Sequence, residues 1–266
     1  MRLLITAGVT QVPIDQVRVI TSIFTGRTGT RIALEANRRG HEVTLLTSAP
    51  HLVGEQLRSA ARWQVKRFRT FDELHDLLSD LVPTHEYEAI IHSAAVSDYR
   101  VASIHVCGPS SSAVLPHDSE HESAHFAVFS RRSSFPGPGP ASCGMGDEPG
   151  GLACEVPGKI PSTYSELWLR LVPTPKLVDL IRSQWGFPGV LVKFKLESGV
   201  NEGTLLQRAE QSRLRSAADL MVANVLESVA TTAWLGPING QYRKLSRHQL
   251  ASALLDAIEH LVPYHS

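Results

Sequence analysis

The sequence predicts an α/β fold, a three-layer, doubly wound and mainly parallel sheet of the Rossmann-like kind. Three observations predict it. Apolar runs of strand length alternate with helical patterns along most of the chain. The run Leu3 to Ala7 stops at Gly8, and Thr25-Gly26-Arg27-Thr28-Gly29 then sets two glycines three apart just ahead of a helical pattern. Such a strand, loop and helix start presents bare backbone amides to an anion.

With 266 residues, 42% of them hydrophobic and 20% charged, the chain has enough apolar side chains for a large core. It reads as a single domain over residues 1–266, interrupted by an insertion at about 107–158. The 26 basic and 26 acidic residues cancel, so no net field favours nucleic acid or an anionic membrane, and any anion site must be local. No run approaches the roughly 18 apolar residues of a membrane span, and the start lacks a signal-peptide pattern, so a cytoplasmic location is expected. The three cysteines, Cys107, Cys143 and Cys154, are too few and too confined for a disulfide framework.

Each element has its own signal. Leu3 to Ala7 is a buried strand. Gly26 to Arg39 is a helix closed by Gly40, and His41 to Thr47 the next strand. An arginine-rich connection follows. Thr70-Phe71-Asp72-Glu73 is a capping box, opening a helix with Phe71, Leu74, Leu77, Leu78 and Leu81 at helical spacing until Pro83. Tyr87 to Ala95 is a third strand, running up to Ser97-Asp98-Tyr99. From Cys107 to Gly158, Gly, Pro and Ser supply 24 of 52 residues and apolar spacing follows neither period, the composition of a mobile insertion.

Order resumes at Ser165, with Leu167, Leu169 and Leu171 alternating as a strand. Thr174-Pro175 predicts an N-cap and first helical position for a helix bearing Leu177, Leu180 and Ile181. Val190 to Glu197 is a strand with Val190, Val192, Phe194 and Leu196 on one face and Leu191, Lys193, Lys195 and Glu197 on the other. A helix with Leu205, Leu206, Ala209 and Leu214 precedes a strand from Asp219 to Ala223 and then Asn224. Asn239-Gly240 marks a hairpin, and Ser246-x-x-Gln249 a second capping box before Leu250, Leu254, Ile258 and Leu261.

In this fold class ligands bind beyond the carboxyl ends of the strands. Gly8, Thr10, the glycine loop, Asp98, the Lys195/Glu197 pair and Asn224 collect there. Each has a plain structural reading as well: turn glycines, a turn aspartate, a solvated ion pair. Their coincidence at one rim favours the functional one. A dinucleotide site is disfavoured, because Thr47, Ser48 and Ala49 stand where an acidic ribose ligand is usual and Gly8 to Gly26 is too long for one G-x-G-x-x-G turn.

Several ordered motifs resemble the phosphopantothenate–cysteine ligase family. They are Ile5-Thr6-Ala7-Gly8-x-Thr10-x-x-Pro13-Ile14-Asp15-x-Val17-Arg18, Thr25-Gly26-x-x-Gly29 and Ala94-Ala95-Val96-Ser97-Asp98-Tyr99, with Gly158-Lys159-Ile160, Phe194-Lys195-Leu196-Glu197 and Asp219-Leu220-x-Val222-Ala223-Asn224. The resemblance spans nearly the whole chain outside residues 107–158, and it implies the ligase without the flavin-dependent decarboxylase domain to which bacterial members are often fused. It implies a step of coenzyme A synthesis in which CTP or ATP activates 4′-phosphopantothenate as an acyl-nucleotide and the amine of cysteine displaces the nucleoside monophosphate, with magnesium on the phosphates.

Carried over residue by residue, the resemblance places phosphate at Gly8, Thr10, Thr25, Gly26 and Gly29, and ribose and base near Asp98, Phe194, Lys195 and Asn224. It makes Lys159 the charge-neutralising lysine of a mobile loop, so that the insertion becomes an enlarged lid, and it sets Arg18 near the interface of a homodimer whose subunits share substrate sites. Ser22 stands where the family has an asparagine that binds the acyl-nucleotide. Phe194-Lys195-Leu196-Glu197 is more like the ATP-using members. Two other readings compete: zinc binding by Cys107, His117, His121, Glu122, His125, Cys143 and Cys154, and a nucleotide- or phosphate-binding relative that lost turnover through the change at Ser22.

Overall fold

The computed structural model describes residues 1–54, 62–84, 86–107, 126–130, 158–164 and 166–262. In chain order these give β1 (Arg2–Ala7), β2 (Gln11–Pro13), β3 (Val19–Thr21), α1 (Arg27–Arg38), β4 (Glu42–Thr47) and β5 (Trp63–Arg67). Next come α2 (Phe71–Leu81), β6 (Ala89–His92), β7 (Tyr99–Cys107), β8 (Phe126–Ser130) and β9 (Glu166–Pro173). The last third holds α3 (Leu177–Ser183), β10 (Val190–Glu197), α4 (Glu202–Arg215), β11 (Leu220–Val225), β12 (Thr232–Ile238), β13 (Gln241–Ser246) and α5 (Leu250–Leu261). The chain divides into two compact units, one of Met1–Gln11, Thr21–Ser97 and Pro175–Ser266, the other of Val12–Ile20 and Asp98–Thr174.

The first unit is built on an eight-stranded sheet in the order β13-β12-β11-β10-β6-β1-β4-β5. From β5 to β11 neighbours are parallel, and β12 and β13 are added antiparallel. Strand β1 explains the layering: Leu3, Leu4 and Ile5 have no exposed surface, as expected of a strand covered on both faces. On one face Leu3, Ile5, Val43, Leu45, Ile91, Val192 and Val222 pack with Ile32 and Ala36 of α1 and Leu250, Leu254 and Ile258 of α5. On the other, Leu205 and Ala209 of α4 cover Met221, Ala223 and Trp234. The predicted Rossmann-like α/β architecture is thus present. The chain leaves β1 outward through β4 and β5, then returns to β6 on β1's other side, which opens a crevice at their carboxyl ends.

Local signals worked where side chains could satisfy backbone. Thr70 Oγ1 accepts from Glu73 N at 3.2 Å while the Glu73 carboxylate accepts from Arg69 N at 2.6 Å, capping α2 as expected. At α5 half of the predicted box forms. Gln249 Oε1 accepts from Ser246 N at 3.1 Å and Ser246 Oγ at 2.9 Å, so the serine hydroxyl is used as a donor and the N-cap is Gln249. The N-cap of α3 is Lys176 rather than Thr174, whose N–H is taken by Asp98 O at 2.9 Å. Strand β6 stops at His92 rather than Ala95, because Thr6 takes over from the ladder: its carbonyl accepts from Ser93 Oγ at 2.6 Å and its hydroxyl from Ala94 N at 3.1 Å. The arginine-rich connection contains β5, an edge strand in which Trp63 is the buried residue.

In the second unit β8, β7 and β9 form an antiparallel sheet over a small core of Val12, Val101, Ile104 and Ile160. Strand β9 forms where it was expected, but of its alternating leucines only Leu169 packs on this core, and Leu167 and Leu171 are exposed. Strand β7 was not expected; its register slips between Val101 and Ser103, which breaks the two-residue period. Strand β8 lies inside the stretch read as a mobile insertion, where its backbone pairs with β7. The residues of the zinc reading other than Cys107 lie outside the described residues.

Candidate functional site

The start of α1 is set by backbone against backbone. Gly26 is its N-cap at φ 81°, with no side-chain cap and no acidic residue in the first turn. A Cβ at Gly26 would stand 2.6 Å from Gly8 N and 2.7 Å from Gly8 Cα, and one at Gly29 2.3 Å from Ser93 Oγ and 2.7 Å from Ala7 Cβ. Glycine is therefore required for the loop after β1 and the first turn of α1 to meet. The N–H groups and positive dipole end of a twelve-residue helix are left at the rim with no acidic side chain to answer them.

Two adjoining cavities open at this place, both within the first unit. One, of about 220 Å³, is lined by Gly8, Thr25, Gly26, Gly29, Phe194, Lys195 and Asn224, together with Ser93, Ala94 and Arg247. The other, of about 490 Å³, is lined by Arg27, Arg31, Arg247 and His248 over Ile32, Leu250 and Ala251. Phe24, Thr25, Arg27, Thr28, Val229 and Arg247 belong to both.

Arg247 ties the rim together. Its Nη1 donates to Asn224 Oδ1 at 2.6 Å and its Nη2 to Thr28 Oγ1 at 2.5 Å, and Asn224 Nδ2 donates to Lys195 O at 3.3 Å. Burial, and after it the neighbouring Arg31, pull Arg247 below the ordinary arginine value. Its charge nevertheless persists at neutral pH. Sequence reasoning missed this residue: it sits one position past a strand end, in no recognised motif, and only the Ser246-x-x-Gln249 turn pointed to its neighbourhood.

The charges on β10 are more committed. Lys195 Nζ lies 3.0 Å from Glu197 Oε1, and Arg208 Nη1 2.6 Å from Glu197 Oε2. Burial pushes Glu197 up, but these two hydrogen bonds outweigh it and hold the carboxyl below its usual range. Two residues earlier Lys193 is buried, donating to Ser212 O at 3.1 Å and to Ser216 Oγ, with Asp179 at 3.5 Å. His92, buried beside Thr6 Oγ1 at 3.2 Å, is pulled down to about 4 by burial and then by Lys193.

Of the residues singled out from sequence, Gly8, Thr25, Gly26, Gly29, Phe194, Lys195 and Asn224 line the smaller cavity. Thr10 is buried and structural, its Oγ1 accepting from Ser97 N at 2.8 Å and its N–H bound to Ala95 O at 3.1 Å. Ser22 is exposed and lines neither cavity.

Asp98, Lys159 and Arg18 belong to the second unit. There Asp15, whose side chain is fully buried, accepts from Val17 N at 2.8 Å, Arg18 N at 2.7 Å, Arg18 Nε at 3.0 Å and Ile160 N at 3.1 Å. The Arg18 guanidinium foremost holds the Asp15 carboxyl far below its usual range against the opposing effect of burial. Arg18 Nη2 also donates to Ile160 O at 2.9 Å, and Gln16 N to Gly158 O at 3.1 Å, so the turn grips the segment carrying exposed Lys159.

Among the described residues no group of three or more His, Cys, Asp or Glu is placed to hold a metal ion, and neither cavity is lined by a carboxylate. The donor set does not fit a protein-ligated magnesium, and any magnesium would arrive on a ligand's phosphates. No described helix is long and apolar enough to cross a membrane.

A mainly parallel α/β sheet with glycine-lined and cation-lined cavities beyond its carboxyl ends defines a Rossmann-like class, in which that rim is the usual ligand position. Residues 1–107 match the family DFP, the DNA/pantothenate metabolism flavoprotein C-terminal domain, and the resemblance read from the motifs is borne out. The chain is 27% identical over 270 residues to the coenzyme A biosynthesis bifunctional protein CoaBC of Thermococcus kodakarensis, covering 98% of this chain and 51% of that protein. To CoaBC of Mycobacterium tuberculosis it is 37% identical over 103 residues, covering 39% of this chain and 23% of that one. The chain thus spans about half the length of the first of these relatives and less of the second. Among solved structures it is similar to the DNA/pantothenate metabolism flavoprotein from Streptococcus pneumoniae, with a TM-score of 0.72, 26% identity and coverage of 98% of this chain and 99% of that one. It shares its fold with a Cab2 variant in complex with phosphopantothenate-cysteine, at a TM-score of 0.64 and 18% identity over 98% of this chain and 87% of that one.

Proposed function

We propose that this chain is a ligase of coenzyme A synthesis that joins 4′-phosphopantothenate to cysteine at the expense of CTP or ATP. One observation carries the reading: helix-start amides and unopposed cations converge on cavities at the sheet's carboxyl edge in a chain similar to CoaBC. Two steps follow. The carboxylate of the acid attacks the α-phosphorus of the nucleotide, forming an acyl-nucleotide as the bond to pyrophosphate breaks. The amine of cysteine then attacks the acyl carbon, forms the amide, loses a proton and expels the nucleoside monophosphate.

In this reading the Gly26 to Gly29 turn, with Gly8 and Thr25, holds phosphate, and Phe194, Lys195 and Asn224 line the nucleoside end, with Asp98 brought to the ribose. Lys159 neutralises the charge that develops on the α-phosphate. The Asp15–Arg18 turn acts one step back by gripping Gly158 and Ile160 on either side of Lys159. Ser22 carries what remains of the family asparagine's role, and a homodimer completes the substrate site near Arg18. Magnesium enters with the nucleotide, and the cytosol is the expected compartment.

Incubation with phosphopantothenate, cysteine and either CTP or ATP, with products identified by mass, tests the reading. Amide product with one of the two is expected, and Lys159→Gln should lower turnover by about 100-fold or more. Wild-type turnover in that variant would remove Lys159 from the reaction. A second reading, nucleotide binding without ligation, rests on the exposed position of Ser22; tight nucleotide binding with neither pyrophosphate release nor amide would favour it.

A further inference from the structure

One buried polar row has no part in the proposed reaction, yet it ends at the wall of the site. Thr6, His92 and Lys193 are register partners across β1, β6 and β10, so their side chains share one face of the sheet. All three are buried, at positions where a parallel sheet ordinarily carries aliphatic side chains. Lys193 is answered by Ser212 O at 3.1 Å, by Ser216 Oγ and by Asp179 of α3. His92 meets Thr6, its Nδ1 lying 3.2 Å from Thr6 Oγ1.

The Thr6 hydroxyl has a single proton, and its neighbours fix where that proton goes. Oγ1 accepts from Ala94 N at 3.1 Å, and among the described residues its other hydrogen-bond neighbour is His92 Nδ1. A fully buried hydroxyl in this setting satisfies its proton by donating to Nδ1, which requires that nitrogen to be bare and the ring proton to sit on Nε2. Burial, and after it the Lys193 charge, keep the ring neutral, pulling it down to about 4 against the weaker opposing effect of Asp179. Arg215 of α4 lies beyond, 3.9 Å from Asp179.

The wall of the smaller cavity hangs on Thr6. The Thr6 carbonyl accepts from Ser93 N at 3.3 Å and Ser93 Oγ at 2.6 Å, its hydroxyl takes Ala94 N, and Ala95 N donates to Gly8 O at 2.9 Å. Ser93, Ala94 and Ala95 all line that cavity. Ser93 Oγ also stands 2.3 Å from where a Cβ on Gly29 would be, so the first turn of α1 rests on the same hydroxyl that Thr6 holds.

We propose that His92 is a positioning residue of the candidate site: through its bare Nδ1 it orients the Thr6 hydroxyl, which turns a lone pair to Ala94 N and holds the Ser93 to Ala95 wall against β1. His92 itself touches no ligand, and no bond forms or breaks in this role. The inference deepens the ligase reading by naming what shapes its cavity, and it rests on that reading only for the ligand.

Three variants separate orientation from bulk. His92→Leu removes the acceptor, His92→Asn places an amide oxygen near the position of Nδ1, and Thr6→Val removes the hydroxyl. Nitrogen-15 NMR of the wild type at about pH 7, which needs no variant to fold, should show His92 protonated at Nε2 and bare at Nδ1. Exchange of the Ala94 amide should speed up about tenfold in His92→Leu and Thr6→Val, the loss of one buried hydrogen bond, and stay within about threefold of wild type in His92→Asn. Calorimetric affinity for CTP or ATP with magnesium should fall about tenfold in the first two variants and recover in the third. The double variant His92→Leu/Thr6→Val should lose no more than Thr6→Val alone, because the two side chains act as one unit. A proton on Nδ1 in the wild type, additive losses in the double variant, or His92→Asn no better than His92→Leu would each overturn the proposal. A wild type that binds neither nucleotide would remove the ligase reading, while the tautomer and the Ala94 exchange still decided the role of His92. Amide formation in a chain whose Ala94 exchange is indifferent to these substitutions would do the reverse.

Discussion

Helix α1 has the same furniture at its two ends and uses it oppositely. Each end carries a left-handed glycine, Gly26 at φ 81° and Gly40 at φ 87°, and each carries arginines. At the far end a Cβ on Gly40 would meet nothing within 4 Å, and Arg39 is enclosed by Glu35, Asp256 and Glu259 at 2.7 to 3.1 Å. At the rim Gly26 is pressed onto Gly8, and Arg27, Arg31 and Arg247 are given no carboxylate. A chain with zero formal net charge thus neutralises one end of a helix internally and leaves the other with positive charge that no described carboxylate answers. The lesson concerns charge placement: a balanced total conceals a local surplus where it is used.

The contrast can be broken most severely at Gly26. Gly26→Ala should cost roughly 3 to 4 kcal/mol, from the left-handed backbone and from contact with Gly8, and should abolish nucleotide binding. Urea unfolding and calorimetry would read both; retained stability and affinity would show that the close approach is not needed.

Next comes His92, a cationic residue type that the fold keeps neutral. Its folded value of about 4 lies below the unfolded value of about 6.5. Between these the unfolded chain takes up a proton that the folded chain refuses, so stability falls as pH is lowered through that window, by of order 3 kcal/mol, and levels off below it. Unfolding free energies of wild type and His92→Gln from about pH 7.5 to about pH 4 should diverge accordingly; parallel profiles would remove His92 as the cause.

At the far end of α1, Arg39→Met should cost about 2 kcal/mol, since Glu35, Asp256 and Glu259 are left facing one another, and nucleotide affinity should stay within about twofold. A large loss of affinity would mean the two ends are not independent. Gly40→Ala should cost only about 1 kcal/mol, the backbone strain without a clash. Smallest of all is Arg38→Ala, because the Arg38 side chain of that pair is 72% exposed. Thermal denaturation would rank all three.

Much of the first unit was legible in the sequence because its elements obey simple periods. Leu3 to Ala7 declared a strand buried on both faces, Val190 to Glu197 separated its two faces correctly, and Thr70 and Glu73 announced the start of α2. What stayed hidden broke a period. Strand β7 slips register between Val101 and Ser103, and the edge strand β5 buries Trp63 at its start and leaves the rest half-exposed or exposed. The site divides in the same way. Gly26 and Gly29 were visible because a strand, loop and helix start demands glycine there. Arg247 was invisible because its meaning lies in partners 23 and 219 residues away, Asn224 and Thr28, and no local pattern encodes such distances.

That reach along the chain bears on synthesis. The glycine loop is made well before the guanidinium that joins Thr28 to Asn224, which follows the last strand of the sheet. A nascent chain, or a fragment ending before β13, would own the helix start and lack its bracket. Triphosphate binding should therefore appear as a late event of biogenesis, after β10 to β13 have joined the sheet, so that an incomplete product does not sequester nucleotide.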